Sequence, residues 1–144
     1  MADDQARATV RRWVEGINSG DIDAAIAVLA PDYVAHLTGT PGPVQGPEAF
    51  KQMYMGFIRP AFPDQKVTIL QIMSQGNNVA VQTEWTATHR GTFMGVPATG
   101  KTVRVPGTGI FRINDGRIVE EWMQEDLLGL WQQLQPPPAQ ETKS

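Results

Sequence analysis

Residues 101–125, KTVRVPGTGIFRINDGRIVEEWMQE, alternate apolar and polar positions on both sides of Asn114-Asp115-Gly116. A period of two marks strands, and Asp-Gly between two such runs is a strong hairpin signal. The reading gives strands over Lys101–Ile113 and Arg117–Glu125. Gly107 and Gly109 fall inside the longer strand, where they predict a bulge or bend. Upstream, Lys66–Ser74 and Val79–His89 form a similar pair around Gly76-Asn-Asn78. In the second of these, Val79, Val81, Thr83, Trp85, Ala87 and His89 share one face. Four long strands in succession predict an antiparallel meander.

The period changes before residue 60. Ala6, Val10, Trp13, Val14 and Ile17 recur every three or four residues, the stripe of an amphipathic helix, with Asp3 or Asp4 as its cap. A second short helix opens at Asp21 and buries Ile22, Ala25, Ile26 and Leu29; Pro31 ends the pattern. Asp32–Leu37 reads as a short strand and residues 39–47, GTPGPVQGP, as a loop. Pro47 suits the first turn of a third helix, whose apolar face is Phe50, Met53, Tyr54 and Phe57. Leu127–Leu134 is a last helix, stopped by Pro136-Pro-Pro138. Helices first and a meander after predict an α+β fold, a curved antiparallel sheet with one face covered by the N-terminal helices. Its concave side is where a small apolar ligand would sit. The division expected is one domain over 1–135 and a Pro-rich disordered tail over 136–144.

The 144 residues fit a single core. A net charge of −3 with no basic cluster argues against a nucleic-acid partner. No cysteine is present, which excludes disulfides, thiolate metal sites and a cysteine nucleophile. There is no signal-like N-terminus and no apolar run of membrane-spanning length, so no membrane partner and a cytoplasmic location are expected. Gly95–Thr102, GVPATGKT, matches the phosphate-loop pattern letter for letter. That motif works only when a helix follows and turns its N-terminus to the phosphates. Here Val103-Arg-Val-Pro106 alternates and then breaks, so the segment reads as a strand connection.

Thr88–Lys101 (THRGTFMGVPATGK), Ile113–Trp122 (INDGRIVEEW) and Asp126–Leu134 (DLLGLWQQL) resemble SnoaL-like proteins, particularly the branch called ester cyclases. Asn18–Asp21, Tyr33–His36, Gly46–Phe50 and Phe62–Asp64 agree more loosely. The resemblance implies a nuclear transport factor 2-like cone, commonly a homodimer formed through the outer sheet face. It also implies ring closure of a polyketide precursor by an intramolecular aldol reaction with no cofactor. Carried across by motif spacing, the cyclase acid/base Asp falls on Met123 and its supporting His on Gly109. Two further site positions fall on Ile17 and Met53. Neither Met nor Gly moves a proton, so this resemblance speaks for the scaffold and against the familiar site.

Other residues are therefore the candidates for chemistry. His36 and His89 are the only histidines, and histidine titrates nearest neutral pH. His89 ends an inward strand face and His36 ends a short strand beside the mouth loop; the structural alternative for both is a rim position. Asp126 either caps the last helix or orients a histidine. Glu121 shares a strand face with Met123, and a carboxylate in an apolar pocket can act as a base. Met53, Phe57, Trp85, Trp122 and Met123 are read as core or as the pocket wall for a flat hydrophobic substrate. The leading function is cofactor-independent acid/base chemistry on a hydrophobic carbonyl or polyketide-like compound. Its rivals are a non-catalytic binder of such molecules and an isomerase or epoxide-hydrolase-like enzyme.

Overall fold

A computed structural model describes residues 2–136. The chain runs α1 (Ala2–Ser19), α2 (Ile22–Ile26), β1 (Leu29–Leu37), β2 (Val44–Gln45) and α3 (Pro47–Met53). A wide π-helical turn, Tyr54–Ile58, leads into α4 (Arg59–Ala61). Then come β3 (Lys66–Gln75), β4 (Asn78–Thr88), β5 (Thr102–Asn114), β6 (Arg117–Glu125) and α5 (Leu127–Leu134). The α+β expectation and the four-strand meander agree with this order. The tail expected over 136–144 lies, beyond Pro136, outside the described residues. Among the described residues no helix is long and apolar enough to cross a membrane.

All six strands form one sheet in the order β2-β1-β6-β5-β4-β3. The long strands pair antiparallel, whereas β1 lies parallel to β6, with Ala35 opposite Glu121 and His36 opposite Trp122. The N-terminal strand thereby joins the C-terminal one. No local pattern announces that pairing, because a parallel neighbour can come from anywhere in the chain. β1 also starts earlier than expected, at Leu29, because the register shifts between Leu29 and Val34 and Pro31 falls within that irregular stretch.

Three local expectations change. Asp3 and Asp4 stand inside the first turn of α1, where they favour the positive end of the helix dipole instead of capping it. The third helix does not stop cleanly but widens before Pro60: proline lacks an N–H and its ring crowds the carbonyl four residues back, so Arg59 N–H reaches Tyr54 O instead. Gly107 and Gly109 mark no bulge, since β4 and β5 pair without interruption from Asn78–Arg112 to Thr88–Thr102. The register shifts fall instead between Ile69 and Gln71 and between Arg112 and Ile113.

The core follows the periodicities. Ala6, Val10, Trp13 and Ile17 of α1 are buried against Val79, Val81 and Phe111 of the sheet. Each fully buried large side chain stabilises the fold by about 1.5–3 kcal/mol. Gly16 lets α1 approach α2 closely, since a Cβ there would come within 2.6 Å of Ala25 Cα. A second cluster, Phe62, Trp85, Val103, Val105, Leu130 and Leu134, seats α5 on the other end of the sheet. Between the two clusters the sheet and helices leave a cavity.

Candidate active site

The cavity has a volume of about 670 Å³ and is bounded by α1, α3, the π-helical turn and the inner face of β3–β6. Its wall is mainly apolar, including Trp13, Ile17, Phe50, Met53, Phe57 and Met123. Phe57 stands at the mouth with 68% of its surface exposed. The loop at Thr38–Pro41 forms another side of the mouth. It is tied to β6 through Thr38 N–H to Met123 O at 3.2 Å and Glu125 N–H to Thr38 Oγ1 at 3.0 Å.

Both carboxylates that line this wall come from β6. Alternation turns Glu121, Met123 and Glu125 inward. Glu121 is 4% exposed, and its Oε1 accepts a 2.7 Å hydrogen bond from the Tyr33 hydroxyl of β1. Its other oxygen has no partner among the described residues. Burial pushes the Glu121 carboxyl up to about 7; the Tyr33 hydrogen bond opposes the shift and the nearby Glu125 charge adds to it. Tyr33 is fully buried, and its phenol is also raised, by burial first and then by Glu121, so it remains a donor. Glu125 accepts the Trp85 indole N–H at 3.2 Å, and burial raises its carboxyl despite that bond. Tyr54 donates to Gln65 Oε1 at 2.9 Å elsewhere on the wall.

The glycines of β5 shape the wall. Gly109 faces Met123 across the ladder. A Cβ at Gly109 would lie 2.6 Å from Trp122 O, 2.7 Å from Met123 Cε and 2.9 Å from Met123 Sδ. The Met123 side chain thus occupies the room that a residue at 109 would fill. The two positions that the family resemblance assigns to a proton-moving pair are cross-strand partners, and here an apolar thioether covers both.

The predicted site residues divide cleanly. Glu121, Met53, Phe57, Trp85 and Met123 line the cavity. His36 and Trp122 do not: they lie on the outer face of the sheet, stacked at 5.5 Å, with His36 Nε2 2.8 Å from Glu120 Oε2. Their strand positions pair in register, so both side chains leave the same side of the sheet. His89 is fully buried but outside the cavity lining. Its Nδ1 accepts the Thr99 N–H at 3.2 Å and lies 2.9 Å from Thr99 Oγ1, while its ring packs on Phe62 at 5.5 Å. It is tied in this way to the 90–101 loop, while its Nε2 is buried with no hydrogen-bond partner among the described residues. Asp126 caps α5, accepting Gly129 N–H at 2.8 Å, and is exposed. The structure thus places both histidines and Asp126 outside the lining of the cavity.

Tyr33, Thr83 and Glu125 were not read as site residues from the sequence. Glu125 carried a usable signal, since it follows Glu121 by four residues and so shares its strand face. Tyr33 carried none, because its meeting with Glu121 depends on the β1–β6 pairing. The GVPATGKT segment behaves as a strand connection: β5 follows it, and Lys101 Nζ is held by Gln133 O at 3.3 Å and Gln135 O at 2.6 Å.

Comparison with known proteins agrees with this scaffold. Residues 7–134 match the family of SnoaL-like polyketide cyclases. Aklanonic acid methyl ester cyclase DnrD of Streptomyces peucetius is 28% identical over 135 residues, covering 89% of this chain and 89% of that protein. Among solved structures, IdmH of Streptomyces antibioticus, assigned as a polyketide cyclase, is 33% identical with a TM-score of 0.81 over 90% of this chain and 98% of its own. A protein of Jannaschia sp. CCS1 assigned as a SnoaL-like polyketide cyclase is 26% identical with a TM-score of 0.83, covering 95% of this chain and 96% of that one. With the helix-closed sheet, the inward face of β6 and the match over nearly its whole length, this chain belongs to the SnoaL-like polyketide cyclase family.

Proposed function

We propose that the protein moves protons on a hydrophobic, carbonyl-bearing substrate of polyketide type, with Glu121 as the acid/base group and no cofactor. The observation that carries this is a carboxyl buried in the wall of an apolar cavity, pushed up to about 7, with one oxygen open. A group poised near neutral pH is present in both protonation states, which suits proton transfer in either direction. As carboxylate, Glu121 takes a proton from a carbon next to a carbonyl. As carboxylic acid, it returns one to an oxygen. Tyr33 holds the side chain in a fixed orientation and stabilises the ionised form. The apolar wall selects flat ring systems by area more than by specific contacts.

This reading places the chemistry two residues before Met123 on the same strand face. The relatives' ring-closing activity on aklanonic acid methyl ester makes that compound the first substrate to try. Wild-type protein is expected to consume it, and Glu121→Gln to do so about 10²- to 10⁴-fold more slowly, with His36→Ala unchanged. Equal turnover by wild type and Glu121→Gln would end the assignment.

A non-catalytic binder is the second reading. It is favoured by Met123 covering Gly109 and by the prior engagement of the Tyr33, Tyr54 and Trp85 donors within the protein. Saturable binding of the same compound without product would decide for it. The epoxide-hydrolase-like reading loses ground, because the cavity lining contains neither Arg nor Asp among the described residues.

A second copy of the chain is the proposed partner, covering the outer sheet face. Met73, Ala80, Ile110, Trp122 and His36 stand opposite one another in register across five strands. Met73 and Ile110 are 61% and 48% exposed, an apolar row that monomers seldom leave open.

A further inference from the structure

We propose that Thr83, Gly107 and Glu125 form a polar notch in the cavity wall that takes a hydroxyl group of the substrate. The inference rests on the cavity being the substrate site and adds the class of substituent it reads. The three residues are consecutive cross-strand partners: Thr83 opposite Gly107 on β4–β5, and Gly107 opposite Glu125 on β5–β6. All point to the inner face, and Thr83 and Glu125 line the cavity. Gly107 is the floor of the notch. A Cβ there would lie 3.1 Å from Glu125 Cγ and 3.3 Å from Thr83 Oγ1, so a side chain would fill the space between them.

Both flanking groups keep unused hydrogen-bonding capacity. Thr83 is 4% exposed, yet its hydroxyl makes no hydrogen bond among the described residues. Glu125 accepts the Trp85 N–H on Oε2, and Oε1 has no hydrogen-bond partner among the described residues. Both atoms open onto the cavity, so a ligand that covers them must replace their hydrogen bonds to solvent, and a notch of this kind favours a group that does so. A hydroxyl completes it in either protonation state of Glu125. The carboxylate accepts the ligand's O–H while Thr83 donates to the same oxygen. The carboxylic acid donates to that oxygen while Thr83 accepts. An ether has no proton to give and leaves an ionised Glu125 unsatisfied. Glu121 is separated from the notch by Met123 on the same strand face, so the hydroxyl is held away from the proton-moving group.

The test is calorimetric titration of the full chain with 2-naphthol and with 2-methoxynaphthalene, which differ at the one relevant group. Wild type is expected to bind the naphthol about tenfold or more tightly than the ether. Thr83→Val, nearly isosteric, and Glu125→Leu should each erase much of that preference, with a cooperative urea-unfolding transition reporting that each variant is folded. Equal wild-type affinities, or a preference that survives both substitutions, would overturn the notch and leave the cavity standing as an apolar site. Failure of wild type to bind either compound would remove the cavity reading and the notch together. The wild-type comparison needs no variant, so a poorly folding substitution does not rescue the proposal.

Discussion

On the outer face of β6, Glu120 meets Arg112 at 2.7 Å and His36 at 2.8 Å. One residue later, on the inner face, Glu121 hydrogen-bonds only the Tyr33 hydroxyl among the described residues. The Arg112 guanidinium first, and His36 second, hold Glu120 below the usual carboxylate range. Burial drives Glu121 the other way, to about 7. The same side chain at adjacent positions is an ordinary surface ion-pair partner on one face and a candidate proton carrier on the other. What differs is water: the outer carboxylate keeps its solvation and gains cations, whereas the inner one loses solvation and gains a single neutral donor.

The largest test of that contrast is pH. For Glu121 the folded-state value lies above the unfolded one, so the folded chain holds the extra proton between them. Stability is unaffected by Glu121 at low pH, where both states are protonated, and falls as pH rises from about 4.5 to about 7. The shift corresponds to about 3 kcal/mol. Urea unfolding at both ends of that window should show wild type losing roughly this much relative to Glu121→Gln, whose amide does not titrate. Glu120 must act with the opposite sign: its contribution is present above the unfolded carboxylate range and is lost as pH falls below it. Parallel pH profiles for Glu121→Gln and wild type would break the comparison between the faces.

A smaller effect concerns why the inner face has room at all. Gly109→Ala should destabilise the fold by about 1–3 kcal/mol in the same unfolding experiment, because the new Cβ meets Trp122 O and the Met123 thioether. An unchanged midpoint would mean that Met123 does not lie over Gly109. The smallest effect on folding lies outside. Ile110→Glu leaves the monomer nearly as stable, since surface changes usually fall within about ±0.5 kcal/mol. It should nonetheless lower the molecular mass measured by light scattering from two chains to one. A wild-type mass of one chain would show that the outer row is simply solvated.

The elements were largely legible. Period two over 79–89 and 101–125, and Asp-Gly between the last strands, gave the meander almost to the residue. The stripe at 6, 10, 13 and 17 gave the first helix. Pro60's effect was harder to read, since proline ends some helices and only widens others, and the choice depends on which carbonyl the displaced N–H can reach. The glycines of β5 were misread for a related reason: a glycine in a strand signals either a bent backbone or a crowded neighbour, and only the neighbour's position tells which. The histidines were favoured because of their titration range. Chemistry of a residue type is not its location: His36 leaves the outer side of the sheet, and His89 lies outside the cavity lining with its Nδ1 bonded to Thr99.

The sequence alone settled which residues travel together. Glu121, Met123 and Glu125 share one strand face and Glu120, Trp122 and Gln124 the other, because successive side chains in a strand point to opposite sides. It could not make the encounters between distant segments. Tyr33 lies 88 residues from Glu121, and they meet only because β1 adds to the sheet parallel to β6. The row from Thr83 through Gly107 to Glu125 likewise exists only once three strands are in register. Local periodicity follows from backbone geometry, which every residue carries. Pairing between strands, and with it the burial that turns a common glutamate into a group that titrates near neutrality, follows from how the whole chain excludes water.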